Sequence, residues 1–192
     1  NLYYAGTDFN KASFSTSFAG ISLSGSLTAV KNDKEKGNGY AGTLTFTMPG
    51  DLFTAKAHGG YYERPDFTWG YFYAAVGSST GIQIPPVAIT DISAGFYFNC
   101  VRKNDTDATP QKGVIGIVAG LGIASSAGKD VMGGTFEMTV VYDKDYVGSD
   151  GKRGRLTTFM LTGTLSAVSG MINSKASIVY QEDDLDKYFA LN

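Results

Sequence analysis

Apolar and polar residues alternate along most of this chain, and Gly, Pro, Asn and Asp interrupt the alternation at short intervals. The plainest run is Val114 to Ala124. Ile115, Ile117, Ala119, Leu121 and Ile123 share one parity; Val114, Gly116, Val118, Gly120, Gly122 and Ala124 share the other. A period of two marks a strand. No charge occurs from Gly113 to Gly128, so a central strand covered on both sides is expected, with another layer close to the glycine face. Gly116 and Gly120 also make a GxxxG pair. A membrane-crossing helix, however, needs about 18 apolar residues, and three glycines inside a helix would each cost about 1 kcal/mol against Ala.

The rest of the chain reads the same way. Lys11 to Val30 alternates with a change of phase at Ala19-Gly20, where a bulge or bend is expected. Lys31 to Gly39 is a charged loop ending in the turn signal Asn38-Gly39, and Tyr40 to Met48 is the return strand. Leu52 to His58 is a short strand. Tyr61 to Val76 is an aromatic belt, Gly77 to Gly81 a turn, and Pro85-Pro86 a break that no central strand holds. Val87 to Cys100 resumes strand character, Lys103 to Lys112 is a polar loop, and Gly133 to Tyr142 alternates again. Asp143 to Arg155 is a charged hairpin loop, and Leu156 to Val168 with Met171 to Tyr180 forms a final hairpin. Asp183 to Ala190 predicts a short C-terminal helix, its acids at the positive end. Ile21 to Val30 and Phe159 to Val168 match position by position in chemistry, as a duplicated hairpin would or as hydroxyl-rich strands do in general.

These elements predict one all-β domain over residues 1–192, of about ten to twelve mostly antiparallel strands. Packed sheets, a sandwich or an elongated stack, are the expected architecture. A β-barrel is the alternative, and it would require a lipid-facing band and aromatic girdles. The 192 residues include 25 Gly and 13% aromatics, which suit a turn-rich β fold. The chain starts at Asn1, which suggests a piece of something longer.

Net charge of −2, with acidic neighbours beside each basic cluster, argues against nucleic acid as a partner. The single Cys100 excludes an internal disulfide and a multi-cysteine zinc site. His58 is the only histidine, so a transition-metal site lacks a second imidazole, and it precedes Ser79, whereas a nucleophile elbow needs its histidine later in the chain. Gly37 to Gly42 fits GxGxxG but opens a strand; Gly77 to Gly81 fits GxSxG but no helix follows. Asp143, Asp145 and Asp150 invite a calcium reading, though their spacing is not that of an EF-hand loop. No metal and no cofactor is expected. Asn104-Asp105-Thr106 is a formal glycosylation sequon.

The one ligand-binding candidate is the belt: Tyr61, Tyr62, Glu63, Asp66, Trp69, Tyr71 and Tyr73. Carboxylates beside aromatic platforms are what a carbohydrate-binding or glycosidase-like face needs. The competing expectation is that these aromatics form core and rim, with Arg64 pairing the acids.

Gly81-Ile-Gln-Ile-Pro-Pro-Val-Ala-Ile-Thr-Asp-Ile-Ser-Ala-Gly-Phe-Tyr-Phe-Asn99, followed by the Gly-rich strand, the Phe-Glu-Met strand and the last hairpin, resembles a recurring element of very large, uncharacterised bacterial multidomain proteins. The resemblance implies a β-rich module of an exported or envelope-associated protein and carries no activity. The expected function is therefore a non-enzymatic structural or adhesive module, extracellular or in the cell envelope. Its expected partners are neighbouring domains or chains, and no helix is expected to cross a membrane. A carbohydrate-binding domain using residues 61–73 is the alternative.

Overall fold

The structure, a computed structural model, describes residues 10–168, 170–184 and 186–192, and of residues 51 and 128–130 the backbone only. Eleven strands follow one another: β1 (Lys11–Phe18), β2 (Ile21–Asp33), β3 (Gly37–Thr47), β4 (Thr54–Glu63), β5 (Thr68–Ile84), β6 (Val87–Asn104), β7 (Asp107–Ser125), β8 (Gly128–Val147), β9 (Arg153–Ala167), β10 (Ile172–Asp183) and β11 (Lys187–Leu191). They form a single sheet in chain order, every neighbour antiparallel, with β1 and β11 at its edges. The sheet is not closed.

Two expectations are corrected here. Among the described residues there is one sheet, with no second sheet packed on it. The C-terminal helix is absent: Lys187–Leu191 is a strand whose Phe189 pairs with Tyr180. The acids before it make a turn instead of a helix start, because Asp183 Oδ1 accepts the Asp186 amide at 2.6 Å. Alternation of Lys187, Phe189 and Leu191 then continues the sheet.

Several assigned loops also prove to be strand. Polar residues of Lys103 to Lys112 lengthen β6 and β7 into an 18- and a 19-residue strand, leaving only Asp105-Thr106 as the turn. Gly77 to Gly81 lies inside β5 as a register shift. Pro85-Pro86 is indeed a break, the two-residue turn between β5 and β6.

The sheet curls, and the curl has local causes. Asn99 adopts φ +50°, a left-handed conformation that Asn tolerates, and the pairing with β7 shifts across it. Its side chain holds both neighbours: Nδ2 donates to Thr68 O at 2.8 Å, and Oδ1 accepts the Gly113 amide at 2.9 Å. Small residues occupy the inside of the bend. A Cβ on Gly120 would overlap Ser93 Oγ, and one on Gly122 would lie 2.8 Å from Thr90 Oγ1. The glycine face of β7 therefore meets side chains of β6, not a separate layer. The core sits inside the curl: Tyr62, Trp69, Tyr71, Tyr73, Tyr97, Cys100, Ala108 and Val118.

Candidate functional site

Opposed residues in an antiparallel pair share a face, so the register sorts the side chains into two sets. On the outer face lie Phe14, Leu23, Leu27, Tyr40, Leu44, Phe46, Tyr61, Phe72, Val76, Ile92, Phe96, Phe98, Ile115, Ile117, Leu121, Phe136, Met138, Val140, Phe159, Leu161 and Ile178. No Asp, Glu, Lys or Arg interrupts this face between Ala12 and Phe18, Ile21 and Ala29, Tyr40 and Phe46, or Ala55 and Tyr61. The same holds from Gly70 to Val76, Ile92 to Phe98, Ile115 to Ile123, Gly134 to Tyr142, Thr157 to Leu165 and Ile172 to Tyr180. Large apolar side chains are exposed along it, among them Phe72, Phe96, Ile115 and Ile117. Two opposed tyrosines, Tyr40 and Tyr61, lead a row that continues in Phe98 and Tyr142.

The inner face has the opposite chemistry. Ser13, Ser15 and Ser17 of β1 pair with Ser26, Ser24 and Ser22 of β2, which pair with Thr43, Thr45 and Thr47 of β3. Thr135, Thr164 and Lys175 form a similar row on the other side. Some of these hydroxyls bond across strands: Ser26 Oγ to Thr43 Oγ1 at 2.9 Å, and Thr135 Oγ1 to Thr164 Oγ1 at 2.6 Å. A cavity of about 320 Å³ opens here, lined in part by Thr28, Thr43, Lys56, His58, Tyr71 and Thr106.

Some of the charged groups on the inner face are partnered. Arg102 donates to both oxygens of Glu137, at 2.7 and 2.9 Å, and also pairs with Asp105. The Glu137 hydrogen bond is the largest influence on the guanidinium and raises its pKa further. Arg102 lies 5.9 Å from the Tyr73 ring, against which His58 stacks at 5.2 Å. Burial holds His58 below its ordinary pKa, with Asp105 opposing the shift. His58 Nε2, Tyr97 Oη and Arg102 Nε are enclosed with no protein partner. Buried polarity is thus gathered inside the curl, while the outer face carries apolar side chains.

At one end the curl is tied shut. Lys36 Nζ lies 2.9 Å from Asp107 Oδ1. Trp69 Nε1 donates to Lys36 O at 2.9 Å, Arg64 to Glu35 O at 2.6 Å, and Tyr71 Oη to Thr106 O at 2.8 Å. Four contacts thus latch the β2–β3, β4–β5 and β6–β7 turns over a plug of stacked rings, with Tyr62 and Trp69 centroids 4.3 Å apart. Burial opposes the Lys36 charge, but Asp107 holds its pKa above the ordinary lysine value.

The belt does not form one platform. Tyr62, Trp69, Tyr71 and Tyr73 point inward and are buried, Trp69 completely. Tyr61 points outward, Glu63 is exposed at the strand end, and Asp66 is in the turn, 3.8 Å from Arg64 Nε. The carboxylates and rings named together in the sequence are therefore divided between two faces and a turn. Asp143 Oδ1 accepts the Asp145 amide and Asp150 Oδ1 the Lys152 amide, both at 3.0 Å, as turn-forming aspartates do. Among the described residues no group of three or more His, Cys, Asp and Glu is arranged to hold a metal ion. Among the described residues no helix is long and apolar enough to cross a membrane, which leaves crossing by strands open.

No family model, no curated protein and no solved structure matches this chain. The residues that sequence reading missed are Lys36, Arg102, Asp107 and Glu137, together with the outer apolar face. Lys36 and Asp107 lie in stretches read as loops, Glu137 in a lone strand and Arg102 between a strand and a loop, and only the pairing register brings them to their partners.

Proposed function

We propose that this chain is a wall of a membrane-embedded β-barrel, its outer face in contact with lipid hydrocarbon. The observation that carries the reading is the charge-free apolar outer face running across ten strands, opposed to an inner face that carries rows of Ser and Thr, the charged side chains and the buried aromatic core. Monomeric soluble proteins rarely expose an apolar patch beyond a few hundred Å². Outer-membrane barrels alternate apolar-out and polar-in, with aromatic residues at the membrane boundary. Ile115 to Ile123 extends about 27 Å at ~3.4 Å per residue. At a strand tilt of about 40° that is roughly 20 Å along the membrane normal, close to the usual band of about 25 Å.

The role is structural and not catalytic, which gives the envelope-module expectation a specific form. In lipid both sheet edges must be paired, so β1 and β11 meet each other or further strands. The rings buried inside the curl give a carbohydrate platform no support.

Spin labels test the reading. In a Cys100→Ala background, cysteines replace Leu44 and Ile117 on the outer face and Thr43 on the inner, and the protein is refolded into phosphatidylcholine vesicles. Labels at Leu44 and Ile117 should collide readily with oxygen and poorly with a nickel chelate, and the label at Thr43 the reverse. Equal access of the nickel chelate to all three positions, or failure to associate with vesicles, would overturn the proposal.

A further inference from the structure

The two ends of the sheet are unlike. At the latched end, the outward residue two positions beyond the apolar band is charged on β2, β4, β9, β10 and β11: Lys31, Glu63, Arg155, Glu182 and Lys187. There β6, β7 and β8 run on past Phe98, Ile115 and Tyr142 to Asn104, Asp107 and Val147. The β6–β7 extension, Asn99 to Asn104, adds about 20 Å of strand at ~3.3 Å per residue. At the opposite end the apolar band reaches the turns themselves. Phe18 is 82% exposed and Met171 84%, and Leu52, Ile84 and Val168 are more than half exposed. The sequence puts Asp51, Lys129 and Asp130 at this end; the other residues of its turns are uncharged.

The turns of this second end also satisfy their own backbone. Pro85 and Pro86 have no amide to leave unpaired. The Met48 amide donates to Phe53 O at 2.9 Å and the Met171 amide to Val168 O at 3.1 Å. Turns are also joined to their neighbours: Ser126 N, in the β7–β8 turn, donates to Pro86 O of the β5–β6 turn, and Val168 N donates to Val131 O of β8, each at 3.0 Å. Asn173 Nδ2 caps Gly170 O at 2.7 Å. Unpaired backbone groups are what exclude turns from a poorly hydrated layer, and here many are paired.

We infer that the sheet sits asymmetrically in the bilayer. The apolar turns around Phe18, Leu52, Ile84 and Met171 are seated in the headgroup–acyl boundary of one leaflet, and the latched, charged end stands in water beyond the other. The inference rests on the membrane-wall reading and adds its depth and its lipid-contacting end.

The test uses the same Cys100→Ala protein in vesicles of phosphatidylcholine and phosphatidylglycerol, labelled singly at Ile84, Met171, Lys34, Val147 and Ile117. Labels at Ile84 and Met171 should show intermediate oxygen-to-nickel accessibility, that of the boundary. Labels at Lys34 and Val147 should behave as aqueous. If Ile84 and Met171 are as open to the nickel chelate as Lys34 while Ile117 stays in hydrocarbon, the asymmetric seating is wrong and the wall reading stands. If Ile117 is itself aqueous, both fall.

Discussion

Lys36 Nζ lies 2.9 Å from Asp107 Oδ1, joining the β2–β3 turn to the first residue of β7 across three intervening strands. The contact holds Trp69, the only tryptophan, because Lys36 O accepts its indole N–H. Asp107 is held below its ordinary pKa, burial opposing and the Lys36 bond prevailing. A depressed carboxylate pKa adds stability above the unfolded value of about 4 and loses it as pH falls through the folded value. Lys36 is shifted upward, so its contribution is complete below about 10.4 and is lost as pH rises through the folded value. The latch should therefore hold between those limits. Asp107→Asn should shift Trp69 emission to the red at pH 7, as acid does for the parent, and cost about 1 kcal/mol for a partly buried pair. Parent-like emission from the variant at pH 7 would show that the pair does not keep the plug closed.

A charge on the outer face should be costly only in lipid. Ile117→Arg should destabilise the bilayer-embedded protein by about 2–4 kcal/mol if Ile117 lies near the midplane. Thr43→Lys, on the hydroxyl-rich inner face, should change stability by less than about 0.5 kcal/mol, as exposed polar sites do. Denaturant titrations in vesicles compare the two. Equal losses would mean that the faces are assigned the wrong way round or are not distinguished by solvent.

Much of this molecule was legible in the alternation, and the reasons for the exceptions are physical. Nearly every strand was visible as a period of two, including β7 from Ile115 to Ile123. What alternation cannot supply is which parity faces water. An uncharged run such as β7 predicts cover on both faces, since burial is the usual fate of Ile and Leu, yet Ile115 and Ile117 are about half exposed while Val114 and Val118 are buried. Register across strands carries that information, and register is a pairwise property. Charged stretches misled for a related reason: Lys103 and Lys112 signal solvent, and strands that leave the apolar band remain strands in solvent. The echo between Ile21–Val30 and Phe159–Val168 also resolves. β2 and β9 stand seven strands apart in an up-and-down sheet, so they run in opposite directions, whereas a duplicated hairpin would be offset by an even number. They are alike because each presents a glycine under a phenylalanine of the preceding strand: Phe14 over Gly25, and Phe136 over Gly163.

Cys100 should be unreactive in the folded protein. Its side chain is fully buried, donates to Gly70 O at 3.2 Å, and burial pushes the thiol up to about 11. The thiolate is the reactive species. A disulfide reagent at pH 8 should modify Cys100 only as fast as the protein opens, and at once in denaturant. Rapid modification under native conditions would place β6 outside a stable core.

Gly120 tests the inside of the bend. A Cβ there would overlap Ser93 Oγ, with the next atom, Phe136 O, 3.7 Å away. A serine hydroxyl can rotate aside, so Gly120→Ala should be tolerated with a small loss. Valine adds two branches that the turn of Ser93 cannot clear, and overpacking of this kind costs about 1–3 kcal/mol. Gly151 is the contrasting position. Nothing lies within 4 Å of its Cβ direction, but its φ is +77°, so Gly151→Ala should cost about 1 kcal/mol through backbone strain alone. The two costs have different remedies. Ser93→Gly should recover much of the loss in Gly120→Val and none of the loss in Gly151→Ala, read as a double-mutant cycle from thermal melts. Additive losses for Gly120→Val with Ser93→Gly would mean that β6 and β7 do not meet at these residues, and the curl would then need another cause.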